Sequence, residues 1–156
     1  MIKLSLWLHF SLTAYLWLID LIPLGNWNYQ QDDYLLTALI KGKGIDAADV
    51  GLLVFITLPA VLFWVGYKKR NIWFCIAALL VDAIWLVMQI LSWWVPYIAG
   101  TNKTWQLEYA NSPTTKILPS FGNHVAPDAM HFVIHALLIS ELITGIWGIY
   151  RKKFTK

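Results

Sequence analysis

The stretch IWFCIAALLVDAIWLVMQILSWWV, residues 72–95, carries one charged side chain, Asp82. As a helix rising about 1.5 Å per residue it would run roughly 36 Å, enough to cross a hydrocarbon core of about 30 Å. Working outward from it, apolar runs of similar length fall at about 4–24, 50–67 and 128–150. Four such runs predict an all-α integral membrane protein, a four-helix antiparallel transmembrane bundle forming one domain over residues 1–156. Composition agrees: 58% of the 156 residues are hydrophobic, 13% are charged and ten are Trp. The mean hydropathy is +0.56. Soluble enzymes and nucleic-acid modules are thereby excluded, and a net charge of +3 is too small to hold a polyanion.

The connections set the orientation. Residues 68–71 join the second and third spans tightly, whereas two long polar loops occupy about 25–49 and 97–127. Lys3, Lys68, Lys69, Arg70, Arg151, Lys152, Lys153 and Lys156 fall at one end of the bundle, and Lys41, Lys43, Lys103 and Lys116 at the other. The first group marks the cytoplasmic side, so both termini are expected inside, both long loops outside, and the location is expected to be a bacterial cytoplasmic membrane. Trp27, Trp93, Trp94, Tyr97 and Trp105 then lie near the outer boundary as an aromatic belt. In the first loop, 34–40 is apolar enough for a short interfacial helix, with Gly42 and Gly44 ending it and 46–49 capping the second span. Asn102, Lys103 and Thr104 have the form of a glycosylation acceptor.

Three further features refine this reading. Cys75 is the only cysteine, and a membrane thiol relay needs a pair. The N-terminal apolar run continues to Ile22 without a small-residue cleavage site, so it reads as a retained first span. Pro59 removes a backbone donor inside the second span and predicts a kink there.

Ionisable side chains inside a bilayer cost about 2.5 to 3.5 kcal/mol each on insertion scales, so each needs a partner or a task. His9 and Asp20 lie in the first span, Asp82 and the amide Gln89 in the third, and Asp128, His131, His135 and Glu141 in the fourth. At about 100° per residue, Ser5, His9, Thr13 and Asp20 form one polar stripe, and Asp82, Trp85, Gln89 and Trp93 another. Asp128, His131 and His135 share one face of the fourth helix, while Glu141 points roughly 120° away toward a different contact, with another subunit or the second helix. Measured from the outer ends, Asp20, Asp128 and His131 lie within about 6 Å, His135 and Gln89 near 10 Å, and His9, Asp82 and Glu141 near 20 Å. This ordering predicts a polar column open outward and plugged at the cytoplasmic end.

The segment from Gly122 to His135 carries the strongest local motif. Pro127 suits the first helical position and Asp128 the positive helix end, so His131 and His135 would project one turn apart toward a common point. With Asp128, and His124 or Asp20 as a fourth ligand, they make a minimal set for Zn or non-haem Fe. Asp20 and Asp82 are then the catalytic carboxylates available to activate water. The His131 and His135 pair with a separate Asp82 is similar, in miniature, to the pattern of the seven-helix ceramidase and receptor-like hydrolase superfamily. That likeness covers these few residues of a four-span chain and implies a metal-dependent membrane hydrolase acting on a membrane lipid. Two other functions fit the same residues: a haem- or quinone-binding accessory subunit within a larger membrane complex, and a homo-oligomer conducting ions or protons.

Overall fold

The computed structural model of the chain describes residues 1–22, 24–27, 47–100, 112–122 and 124–151, without the side chains of 48 and 49. The expectations for 34–44, for Trp105 and for the glycosylation triplet lie outside these residues. Helix α1 spans Ile2–Leu21, α2 Ala47–Lys69 and α3 Ile72–Gln89. A π-helical turn, Ile90–Trp94, then carries α3 into the short α4, Val95–Ala99, and α5 spans Ala129–Arg151. Among the described residues four helices, counting Ile72–Ala99 as one, are long and apolar enough to cross a membrane.

Each helix packs on two others in a closed ring, α1 on α2, α2 on α3, α3 on α5 and α5 on α1. Pairings along the seams establish the directions. Thr13 meets Ile56 and Trp17 meets Thr57, while His9, one to two turns back, stacks on Phe63, one to two turns on. Gln89 reaches His135, and Leu79 lies beside Gly145. Successive helices are therefore antiparallel. The start of α1 and the stop of α5 share what is called here the terminal end, and α4 with residues 112–128 the loop end.

Local sequence explains the corners. Between α2 and α3, Arg70 takes a left-handed φ of 54° and the Asn71 side chain accepts from Trp73 N–H at 3.0 Å, capping α3. Gly66 permits the tight seam there, since a Cβ at this position would lie 2.6 Å from Cys75 Sγ and 2.9 Å from Cys75 N. Gly148 does the same for α5 on α1, where a Cβ would meet Ile2 N at 3.0 Å. Pro59 sits inside the continuous α2, and the Thr13 hydroxyl donates to the carbonyl of Ile56 in the turn before it.

Helix α5 starts later than its proline suggested. Asp128 is the N-cap, its Oδ1 accepting from His131 N–H at 2.9 Å, so Pro127 lies before the helix rather than at its first position. The preceding segment folds over the bundle: Thr115 N–H donates to Asn26 O and Ala129 N–H to Thr115 O, both at 2.8 Å, and Val125, Ala126, Pro127 and Asp128 are buried.

Two apolar clusters fill the bundle. Leu12, Leu16, Ile19, Ile56, Met130, Ile134 and Leu138 occupy the half toward the loop end. Phe63, Cys75, Ala78 and Leu79 occupy the half toward the terminal end. The rim is apolar and outward, with Trp7, Trp73 and Tyr150 at 69%, 73% and 78% exposure, as lipid contact requires.

Candidate metal centre

Between the two apolar clusters lie three ionisable side chains from three helices: His9 on α1, Asp82 on α3 and Glu141 on α5. Asp82 and Glu141 are fully buried and His9 is 2% exposed. Each offers a donor atom, and these atoms lie within 4.8 Å of one another. Among the described residues this is the set of three potential ligands that converges.

The orientation of His9 is fixed from two sides. Its Nδ1 lies 2.7 Å from the Ser5 carbonyl, which can only accept, so Nδ1 carries the hydrogen and the Nε2 lone pair faces the carboxylates in the neutral ring. Phe63 stacks on the ring with centroids 4.4 Å apart and planes 25° from parallel. A backbone carbonyl holding the far nitrogen is how metal-bound imidazoles are ordinarily oriented. Nε2 stands 2.9 Å from Asp82 Oδ2, close enough for an ion pair. Their alignment is not that of a hydrogen bond, and His9 Nε2 and all four carboxylate oxygens lack a hydrogen-bond partner among the described residues.

The residues of the sequence motif are placed differently. Asp128 Oδ1 lies 2.8 Å from His131 Nδ1 besides capping α5, and the His131 ring packs on Trp93 with centroids 3.9 Å apart. His135 is engaged at both nitrogens. Trp94 Nε1–H donates to Nδ1 at 3.1 Å, leaving the hydrogen on Nε2, which lies 3.3 Å from Gln89 Oε1. Centroids of the His131 and His135 rings are 6.5 Å apart. His124 Nδ1 donates to the Tyr97 carbonyl at 2.8 Å, and Asp20 is half-buried near the loop end of α1. Of the residues expected to act chemically, Asp82 alone joins the convergent set. Outside the spans, burial lowers the pKa of Lys116 below the ordinary lysine value.

Two expectations need correction. Glu141 does point away from the His135 face, but its contact is the core of its own bundle, because α5 packs on α1 and α3 at once and so buries a wide arc. The outward polar column is interrupted: Leu12, Leu16, Ile134 and Leu138, none above 4% exposed, separate the imidazole layer from the buried triad. The signal that could have found the triad was the shared depth of about 20 Å for His9, Asp82 and Glu141.

No protein-family model, curated protein or solved structure matches the chain.

Proposed function

We propose that this protein is an intramembrane metalloprotein, holding one divalent ion at mid-depth between His9 Nε2 and the carboxylates of Asp82 and Glu141, and that its activity depends on this ion. The observation that carries the reading is Glu141, a carboxylate with no exposure and no hydrogen bond to either oxygen. An unpartnered buried carboxylate is strongly unfavourable in a hydrocarbon-like interior. Asp82 and His9 can answer each other as an ion pair, which leaves Glu141 to take up a proton or to share a cation with them. A divalent ion answers all three, since two carboxylates and a neutral imidazole carry the two negative charges it cancels.

The donor chemistry narrows the ion. Imidazole with carboxylates suits Mn, Fe and Zn rather than the thiophilic metals. Two donor atoms 2.9 Å apart subtend a right angle at an ion about 2.05 Å from each. Of the two metals expected, a set of two carboxylates to one imidazole favours six-coordinate Fe(II), or its neighbour Mn(II), over tetrahedral Zn. Six-coordination leaves positions for water or a substrate oxygen, the chemistry a metal-dependent membrane enzyme would use.

A second reading keeps the imidazole layer as a working site. A groove of about 410 Å³ between α3 and α5, lined by Leu86, Ile90, Trp94, Phe132, His135 and Ile139, opens beside it and suits the hydrocarbon part of a lipid-like molecule. In that reading Asp128 and His131 are the acid–base pair, with Asp20 and His124 nearer the loop end.

Metal analysis of the detergent-purified protein, after growth with Mn and Fe, separates the two. Wild type should carry about one ion per chain, Glu141→Gln and Asp82→Asn should lose it, and His131→Ala with His135→Ala should keep it. Wild type without metal, and without a thermal shift on adding Mn(II), overturns the metal centre.

A further inference from the structure

Among the described residues, buried side-chain polar atoms without a hydrogen-bond partner occur at four positions: Ser5, His9, Asp82 and Glu141. Three are the triad, and the fourth lies against it. Ser5 is one helical turn before His9 on α1, and its carbonyl is the group that holds His9 Nδ1. Helical side chains lean toward the preceding turn, which brings the His9 ring over Ser5. Across the seam, Ser5 Oγ would lie 3.1 Å from a Cβ on Gly145, one turn beyond Glu141 on α5. Ser5 thus lies one turn toward the terminal end from both His9 and Glu141, flooring the triad on that side, with no exposure.

A serine or threonine inside a helix often turns its hydroxyl to the carbonyl four residues back, as half-buried Ser140 does to Ala136 at 2.7 Å and Thr144 to Ser140 at 2.7 Å. Ser5 forgoes that bond, although its own N–H donates to the Met1 carbonyl at 3.0 Å. A lone orphan would be a packing accident. His9 and Asp82 face each other at 2.9 Å, and with Glu141 and Ser5 they are the four positions among the described residues that hold such atoms, so one occupant beside them would answer all four.

We propose that Ser5 Oγ is the fourth protein donor to the ion, making a set of one nitrogen and three oxygens in which the hydroxyl is the neutral and most exchangeable member. This rests on the metal centre proposed above. A neutral hydroxyl adds a donor without adding charge, so the balance of two carboxylates against a divalent ion is kept. It also biases the site toward oxygen-preferring Mn(II) and Fe(II), since a thiol at the same position would favour Zn and Cd.

The test uses Co(II) as a spectroscopic stand-in for the ion, on purified full-length protein in detergent. Ser5→Cys puts a thiol where the hydroxyl was, and a thiolate bound to Co(II) gives a near-ultraviolet charge-transfer band that imidazole and carboxylates do not. The expected result is that band in Ser5→Cys, with none in wild type, whose single thiol, Cys75, packs against Phe63 and Gly66. Ser5→Ala should still fold and should bind Co(II) about tenfold more weakly than wild type, the scale seen when a supporting group of a metal site is removed. If both proteins bind Co(II) equally and Ser5→Cys shows no band, Ser5 is a packing residue and the three-ligand centre stands without it. If neither binds Co(II), the metal centre fails and this inference with it.

Discussion

Glu141 is the residue on which stability and function pull in opposite directions. Its two oxygens without hydrogen-bond partners cost stability in the ion-free protein, while in the proposed metal centre the same oxygens would hold the ion. Glu141→Met keeps roughly the same volume and removes the orphans, so thermal unfolding of the ion-free form should become more favourable to the native state by about 1 to 4 kcal/mol. Metal binding should disappear in the same variant. An ion-free Glu141→Met protein less stable than ion-free wild type would mean that Glu141 already has a partner. Glu141→Gln has a different signature. The amide keeps the size and one acceptor oxygen but removes the charge that the ion requires, so Mn(II) affinity, read by calorimetry, should fall about a hundredfold or more. In the sequence Glu141 was recognisable as costly but not as a ligand, because a helical wheel of α5 alone shows only that it avoids His135. Its partners come from α1 and α3, and a wheel carries no information about which helices close the ring.

Elements α2, α3 and α5 show which local signals carry through to structure. The spans and the Asn71 corner were readable because each follows from residues adjacent in sequence, whereas α2 runs on through Pro59 from Ala47 to Lys69. The π turn was not readable. Five residues, Ile90–Trp94, widen the helix so that Trp93 packs on His131 and Trp94 donates to His135, whereas a uniform helix accounts for Trp93 only. Asp128 shows a related shift, its carboxylate serving the α5 N-terminus and His131 together. Removing it as Asp128→Ala should cost about 1 to 2 kcal/mol in detergent unfolding, the range for a helix cap, and leave metal content unchanged. Loss of metal in that variant would restore Asp128 to the ligand set. The α2–α3 seam gives a sharper steric prediction. A Cβ on Gly66 meets backbone N of Cys75 at 2.9 Å and Asn71 O at 3.0 Å, not only the sulfur at 2.6 Å. Gly66→Ala should therefore destabilise by about 1 to 3 kcal/mol, and adding Cys75→Ala should recover only part of the loss. Full recovery would show that the sulfur alone set the clash.

For the whole molecule, depth was more informative than motif. The i, i+4 histidines drew attention because they are close in sequence, yet His135 has both nitrogens engaged by Trp94 and Gln89. His9, Asp82 and Glu141 are scattered through the chain, and only the rise per residue of antiparallel spans puts them in one layer. The apolar plug between the layers was unreadable for the same reason, since Leu12, Leu16, Ile134 and Leu138 look like ordinary lipid-facing residues until the ring closes. Which face of the membrane each end meets follows from charge rather than packing. At the terminal end Lys3, Lys68, Lys69, Arg70 and Arg151 are all exposed, and the Arg151 guanidinium lies 4.7 Å from the centre of the Trp147 ring, an anchor suited to the headgroup layer. Lys116 at the loop end is instead half-buried, its ammonium 2.6 Å from Thr114 Oγ1. Basic residues near span ends resist translocation, so the terminal end should face the cytoplasm. Ile117, 48% exposed in the segment over the loop end, and exposed Lys69 between α2 and α3 report on opposite faces. In intact cells an impermeant maleimide should label Ile117→Cys and spare Lys69→Cys, with both labelled after permeabilisation and buried Cys75 providing a low background. The reverse pattern would invert the bundle. The triad would keep its geometry, but the thinner side of its apolar seal, the His9 to Met1 stretch of about 12 Å, would then face outside.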